Sequence, residues 1–177
     1  MADTVMTQAL KVLAKTGKIY LADRGTITEN TAWMEYFMTT ENTLNIDQAE
    51  GTTQDIRTDQ KTAPVSTIRT AGEFTISFDV PSVDSVVLAL FFNTSTPSYT
   101  PSGYTSIGVG TEMKTLNKMM KINFTNNDSD AIFTNVDLVG VVTKSSDGAF
   151  SIRVTGTVLA AGGVGMEAEE MIFVHKD

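Results

Sequence analysis

The sequence predicts a mainly β, antiparallel sandwich or barrel in a single domain of 177 residues, with one short helix between its halves. Three observations predict this fold. Segments in which apolar and polar residues alternate recur along the chain, as at 74–80 and 150–154. Clusters of Gly, Asn and Asp separate them, as in proteins built from short strands and turns. One segment, 83–91, has helical spacing instead.

The N-terminal part of the chain predicts three strands after a terminal arm. Residues 4–16 place Val5, Ala9, Val12 and Leu13 on one helical stripe, which leaves a short helix and a flexible arm over 1–16 both open. Residues 17–22 predict the first strand. The aromatic segment 33–38, which holds the single Trp, predicts the second, and residues 44–47 predict the third.

A polar segment follows the third strand. Residues 50–64 are nearly free of apolar side chains, which predicts a long loop over about 47–64. Loops of this length within a compact domain are usually functional or disordered. An interaction loop and a mobile hairpin tip both remain open. Residues 65–68 are expected to return to the sheet.

The centre of the chain passes from a strand to a helix. Alternation at 74–80 predicts a half-buried strand whose polar side carries Glu73, Thr75, Ser77 and Asp79. Pro81 has no N–H for a ladder, so it ends the strand, and Ser82 is the expected N-cap of the helix. The apolar face of that helix consists of Val83, Val86, Val87, Leu90 and Phe91. We expect this face to be buried by the chain's own sheet or by a neighbouring subunit.

The C-terminal part predicts an irregular segment and then closely spaced strands. Residues 93–110 are rich in Ser, Thr, Pro and Gly, which is typical of a surface excursion. Strands are predicted over 120–124, 132–142, 150–160 and 171–174. Turns at 126–130 and 144–148 separate them, the second containing an Asp-Gly pair.

Composition argues against several functional classes. The absence of Cys excludes disulfides, thiolate nucleophiles and Cys-ligated zinc. The only His, His175, stands two residues from the end, where a catalytic triad or a zinc site is not expected. A net charge of −8 without a basic cluster argues against a stable grip on nucleic acid. We expect no enzymatic activity, cofactor or metal.

The sequence pattern predicts neither a secretory signal nor a membrane-spanning segment. The first residues lack the basic and apolar regions of a secretory signal, so the product is expected to begin in a cytosol. The longest apolar run, 86–92, is far shorter than the roughly 20 residues that a membrane span needs.

The order of these features resembles the bacteriophage tail tube proteins, also called major tail proteins. The helix Asp84-Ser85-Val86-Val87-Leu88-Ala89-Leu90 is similar to the family's short apolar helix "x-N-L-A-L-A-L", with Ser85 in place of the Asn. Residues 16–20 resemble the opening strand, 40–46 the strand that enters the stacking loop, and 63–65 the return from it. Residues 154–159 resemble the closing hairpin.

The resemblance implies a virion structural protein that self-assembles in the host cytoplasm. Homohexameric rings of such subunits form a continuous β-barrel and stack into a tube around a tape-measure protein. Tail-terminator and baseplate proteins are the further partners. Double-stranded DNA passes through the lumen without specific binding, and no membrane is involved. A bore that conducts DNA is expected to be neutral or negative, because like charge denies DNA a site.

The resemblance also implies where the contacts lie. The inter-ring stacking loop contains Asp47, Glu50, Asp55, Ile56, Arg57 and Asp59. The intra-ring interface is the apolar face of the helix, with Val83, Val86, Val87, Leu90 and Phe91. The lumen-facing candidates are Glu73, Thr75, Ser77 and Asp79.

Two alternatives remain. The first is the tube subunit of a contractile tail or of a type VI secretion apparatus, which shares the tube fold. The second is a ligand-binding β-sandwich, such as a carbohydrate-binding or adhesin-like domain. Its stacking platform would consist of Trp33, Tyr36, Tyr99 and Tyr104.

Overall fold

The protein is mainly β, with antiparallel sheets and one short helix. The computed structural model describes residues 16–37, 39–40, 43–58, 61–81, 84–124, 129–144 and 150–175. The predicted terminal arm lies outside these ranges except for Thr16. Most of the two turns predicted at 126–130 and 144–148 lies outside them as well.

Twelve described strands and one helix make up the fold. In chain order the first six strands are β1 (Thr16–Ala22), β2 (Met34–Phe37), β3 (Asn45–Gln48), β4 (Thr52–Thr58), β5 (Lys61–Thr70) and β6 (Phe74–Val80). The helix α1 (Ser85–Phe91) follows. The remaining strands are β7 (Phe92–Ser95), β8 (Gly108–Met113), β9 (Leu116–Phe124), β10 (Ser129–Lys144), β11 (Phe150–Val158) and β12 (Met171–His175).

The main sheet has the order β2-β1-β9-β10-β11-β6-β3, and its neighbours are antiparallel. The long strand β10 also pairs with β12 through its first residues, Ser129–Phe133, and pairs with β11 from Val136 onward. Its register against β9 shifts between Phe133 and Val136. At the shift, Thr134 N donates to Glu170 O at 3.1 Å and Leu159 N donates to Asn135 O at 2.8 Å. Along one of its edges, β10 thus pairs first with β12 and then with β11.

The core lies on one face of this sheet and α1 covers part of it. The buried cluster draws on β1, β6, β9, β10, β11 and the helix. Phe91 of α1 is fully buried over Gly140 of β10, where an added Cβ would come within 2.6 Å of the Phe91 ring. Only a residue without a side chain lets the helix approach the strand this closely.

The predicted alternation is confirmed in the strands that carry the core. In β6, Ile76, Phe78 and Val80 are buried, and residues between them are not. The strands predicted at 17–22, 120–124 and 171–174 correspond to β1, the end of β9 and β12.

The predicted start of the helix is wrong, whereas its predicted face is confirmed in part, since Val87 and Phe91 are buried. The helix is capped by Asp84, whose carboxylate accepts hydrogen bonds from the backbone N–H groups of Val86 and Val87, both at 2.9 Å. Ser82, the expected cap, and Val83 lie outside the described residues. The buried stripe is Val87, Leu88 and Phe91, while Val86 is 58% exposed. The buried stripe thus keeps Val87 and Phe91 of the predicted face, but it contains Leu88 and leaves Val86 outside.

Two predicted loops contain strands. The segment over 47–64 is not an irregular loop, because β4 and β5 pair antiparallel through it. Residues 65–68 belong to β5 and pair with β4, so they do not return to the main sheet. The segment 93–110 is irregular only between β7 and β8, which form a second two-stranded sheet. Polar strands without a buried face leave no alternation in the sequence.

Candidate functional site

The hairpin β4–β5 is a direct extension of the ladder between β3 and β6. Ala49 N donates to Glu73 O at 2.9 Å, so backbone pairing continues past the end of the main sheet. Two glycines allow this continuation. An added Cβ would lie 2.0 Å from Thr70 O at Gly51 and 1.8 Å from Ala49 O at Gly72. No other residue fits there, so the glycines fix the point at which the hairpin leaves the sheet.

The hairpin has no core of its own. All of its side chains that the structure describes are exposed. The seven residues of β4 span roughly 24 Å at about 3.4 Å per residue. A two-stranded hairpin without an apolar packing surface is marginally stable in water. Such an element is typical of a segment that acquires a packing partner from another molecule.

The two faces of the hairpin differ in chemistry. The register places Ile68 opposite Gln54 and Ser66 opposite Ile56, so Ile56 and Ile68 are diagonal neighbours on one face. They are 42% and 51% exposed. The other face is polar: Arg57 Nη2 lies 3.5 Å from Asp55 Oδ2, and Thr67 Oγ1 donates to Asp55 Oδ1 at 3.2 Å. The hairpin thus presents an apolar stripe backed by charged side chains.

The predicted stacking-loop residues do not all lie together. Asp55, Ile56 and Arg57 lie in β4 and Glu50 lies just before it. Asp47 lies in β3 of the main sheet, and Asp59 is outside the described residues. Sequence reasoning missed Ile68, because a lone isoleucine in a polar segment gives no signal until the register pairs it with β4.

The face of the main sheet opposite the core is polar over four strands, β10, β11, β6 and β3. We call it the polar face. Its side chains form cross-strand rows defined by the register: Asp137, Thr157, Thr75 and Asp47; then Val139, Thr155, Ser77 and Asn45; then Val141, Arg153 and Asp79. Four of these eleven side chains carry a hydroxyl and only one, Arg153, is basic, so the surface offers hydrogen bonds without a basic cluster.

One ion pair crosses the polar face. Arg153 donates to both carboxylate oxygens of Asp79, from Nε at 3.0 Å and from Nη2 at 3.3 Å. The hydrogen bond to Asp79, with its charge, raises the pKa of Arg153 above its ordinary value. Since this pair is neutral overall, the rows are left acidic by Asp47 and Asp137.

Three of the four residues predicted to face the lumen lie together on the polar face, and the fourth does not. Thr75, Ser77 and Asp79 share the polar face. Glu73 precedes β6 and is exposed at the point where the hairpin leaves the sheet. Its backbone carbonyl takes part in the ladder there.

The helix surface is mostly used by the chain's own fold. Val87 and Phe91 are buried, and Leu90 is partly buried against the same core. Of the predicted intra-ring contacts that the structure describes, Val86 is the one left largely exposed, at 58%. The expectation that the helix face awaits a neighbouring subunit is thus reduced to a small area around Val86.

The two edges of the main sheet are unlike each other. Within the described ranges, no strand pairs with the outer edge of β2 or with the outer edge of β3. Both edge strands are four residues long, but β2 is Met-Glu-Tyr-Phe and β3 is Asn-Ile-Asp-Gln. An unpaired edge is a template for another strand.

The aromatic residues of the ligand-binding alternative are not gathered into a platform. Lys121 Nζ lies 5.0 Å from the Trp33 ring centroid and 4.8 Å from that of Tyr20, so a cation already occupies this aromatic pair. Tyr99 and Tyr104 are exposed in the segment between β7 and β8. The side chain of Tyr36 lies outside the described part of the chain.

A half-open cavity of about 300 Å³ lies beneath the segment that joins β1 to β2. Its lining mixes apolar and hydroxyl side chains, including Leu21, Met34, Met119, Thr26 and Thr31. Lys118, also in the lining, forms an ion pair with Asp23. The sequence gives no signal of this cavity, because the loop above it has no motif.

Comparison with known proteins adds no relative. No family model matches the chain, and no curated protein does. In the ranges that the structure describes, no three His, Asp or Glu side chains are placed to hold a metal ion. No helix in those ranges has the length and apolarity to cross a bilayer.

Proposed function

We propose that this protein is a structural subunit of a bacteriophage tail tube, without enzymatic activity, that joins copies of itself into homohexameric rings and stacks those rings into a DNA-conducting tube. The observation that carries the proposal is the pair of unlike edge strands at opposite sides of the main sheet, β2 and β3, each of which pairs with a single strand within the described ranges. The resemblance of the sequence to tail tube proteins supplies the assembly to which such edges belong.

Unlike edges support a ring. When β2 of one copy pairs with β3 of the next, each copy uses one edge of each kind, and the contact is heterologous. Heterologous contacts that close give a ring with no strand edge left over. The equal length of the two edge strands suits this pairing, since neither leaves a long unpaired overhang.

The polar face suits the lumen of the resulting barrel. Its threonines, serine and neutralised Asp79–Arg153 pair offer no cluster of cations to hold phosphates. Asp47 and Asp137 add negative charge. DNA passing such a surface meets like charge, so it is conducted and not retained.

The hairpin β4–β5 suits the contact between rings. It leaves the sheet at Gly51 and Gly72 and has no packing partner among the described residues of its own chain. Burying Ile56 and Ile68 against another ring would supply the apolar surface that the hairpin lacks. Stacking of rings then follows from the same element.

Sedimentation and negative-stain electron microscopy of the purified protein test the proposal. We expect rings or tubes whose fraction grows with protein concentration. A protein that stays monomeric at high concentration would contradict the proposal. A monomer that binds immobilised glycans would instead favour the carbohydrate-binding alternative.

A matched variant separates rings from stacks. Residues 52–70 are replaced by Asn-Gly, which bridges the close approach of Gly51 and Ala71, where an added Cβ on Gly51 would lie 3.3 Å from Ala71 Cα. We expect this variant to keep its urea midpoint and to form rings that do not stack. Tubes of normal length from it would show that the hairpin is not the stacking element.

A further inference from the structure

The strand registers put the hairpin and a second exposed apolar patch at opposite ends of the main sheet. The hairpin leaves at the Phe74 end of β6, beside the Val158 end of β11, since Thr75 pairs with Thr157. The opposite end is where Val80 pairs with Ile152 and where Lys144 of β10 pairs with Phe150.

The second patch, here called the distal patch, consists of Val142 and Phe150. Val142 pairs with Ile152, so Val142 and Phe150 are diagonal neighbours on one face of β10 and β11. They are 38% and 57% exposed, although they lie on the face that forms the core farther along the sheet. Lys144 Nζ lies 5.8 Å from the Phe150 ring centroid. The core thus ends at an apolar rim that the described part of its own chain leaves exposed.

We propose that the distal patch of one copy receives the Ile56–Ile68 stripe of the hairpin of a second copy in the next ring. The inference rests on the proposed function and names the surface that receives the hairpin. Both surfaces are diagonal apolar pairs on two-stranded ladders, which present similar widths to each other. Because they lie at opposite ends of the main sheet, their contact is head-to-tail and repeats without limit.

Charge favours this arrangement over contact between two hairpins. Residues 52–70 carry two acids and three bases, a net charge of +1, which leaves −9 on the rest of the chain. At long range two hairpins repel each other weakly, whereas a hairpin is attracted to the net negative body of another copy; Lys144 at the patch opposes this attraction at close range. The apolar pairs hold the contact, and the charge difference selects its direction.

The absence of Cys from the chain permits a clean cross-linking test. Two single-cysteine proteins, Ile68→Cys and Val142→Cys, are mixed under assembly conditions and oxidised, and one carries a tag that shifts its mass. Both positions are exposed, so the variants should fold, which far-UV circular dichroism checks. A disulfide requires the two Cβ atoms to approach within about 4.5 Å, so it reports direct contact.

The control replaces Ile68→Cys with Thr53→Cys, which lies on the other face of the hairpin. We expect the heterodimer from Ile68→Cys and Val142→Cys in several-fold excess over the Thr53→Cys mixture. Equal yields from the two mixtures would overturn the inference, as would a predominance of homodimers from Ile68→Cys.

The length of the stacks formed by two variants tests the receiving surface separately from the tail-tube proposal. Val142→Asp should leave rings intact and shorten the stacks, and Ile68→Lys in the same chain should restore them by pairing the new charges. Stacks unaffected by Val142→Asp would place the receiving surface elsewhere while the tube proposal stands. Wild-type protein that forms no rings overturns both.

Discussion

Two neighbouring β-ladders of the molecule differ in whether their side chains are buried. Strands β3 and β6 belong to the main sheet, where Ile76, Phe78 and Val80 are buried. Strands β4 and β5 continue that ladder beyond Gly51 and Gly72, and none of their described side chains is buried. Backbone pairing is continuous across the boundary, but burial stops there.

The difference shows which ladder the monomer can support alone. Apolar burial is the main favourable term in folding, and each large core side chain contributes about 1.5–3 kcal/mol. The body has such side chains from five strands of the main sheet, from β7 and from the helix, whereas the hairpin has cross-strand pairs and two exposed isoleucines. We infer that the body folds by itself and that the hairpin gains its stability from a second copy.

The largest expected effect comes from removing a core aromatic ring from the body. Phe78→Ala should lower the free energy of unfolding by about 3–5 kcal/mol, because the side chain is 1% exposed and leaves a cavity. Ile68→Ala in the hairpin should change it by at most about 0.5 kcal/mol. Urea unfolding followed by circular dichroism measures both. Comparable losses for the two variants would break the distinction between body and hairpin.

A smaller effect should come from the contact between helix and sheet. Gly140→Ala places a Cβ within 2.6 Å of the Phe91 ring, so the free energy of unfolding should fall by about 1–3 kcal/mol. The control is Gly25→Ala, where the nearest heavy atom to an added Cβ is 4.0 Å away. If both alanines are tolerated equally in a urea titration, α1 does not pack on β10 as described.

The helix cap should have a still smaller effect. Asp84→Ala removes the acceptor of the Val86 and Val87 N–H groups and should cost about 1 kcal/mol. Asp84→Asn retains an acceptor oxygen and should lose much less. Thermal unfolding of the two variants provides the measurement. An equal loss from both would mean that the charge matters more than the cap.

The elements changed in these variants differ in how well the sequence predicts them. Alternation located β6 and the ends of β9 and β11 correctly, because each has one buried face. It missed β4 and β5, since strands with two exposed faces have no hydrophobic period. The helix was located, and Val87 and Phe91 of its predicted face are buried, but Val86 is exposed and Leu88 is buried. With Asp84 as the cap, Val86 points outward. The helix has only seven residues, and its buried face consists of three of them, Val87, Leu88 and Phe91.

The candidate site was less accessible from sequence than the fold. Asp55, Ile56 and Arg57 are consecutive and lie together in β4, but Ile68 joins Ile56 only through the register of β4 and β5. The distal patch had no sequence signal, because Val142 and Phe150 look like ordinary core residues at a strand end. Exposure at the rim of a core depends on where neighbouring strands stop.

The smallest effect on stability is expected from removing surface ion pairs. The pH dependence of that effect should differ between the body and the hairpin. Lys18 Nζ lies 2.8 Å from Glu35 Oε2 in the body, and this hydrogen bond and charge raise the pKa of Lys18 above 10.5. A lysine with a raised folded-state pKa contributes stability below its unfolded pKa and loses it as pH rises through the folded value.

Glu35→Gln should therefore lower the urea midpoint slightly near neutral pH. Its difference from wild type should close above pH 10.5, as Lys18 loses its proton. Asp55→Asn, which removes the partner of Arg57 in the hairpin, should leave the midpoint unchanged. A difference for Glu35→Gln that persists at high pH would show that the pair does not act through the charge of Lys18.

Backbone hydrogen exchange tests most directly the claim that the body is self-sufficient and the hairpin is completed by another copy. The same protein is measured in its dilute form and in its assembled form. We expect amides of β6, β10 and β11 to exchange slowly in both samples, and those of β4 and β5 to exchange rapidly when dilute and slowly when assembled. Equal exchange of the hairpin amides in the two samples would contradict the account.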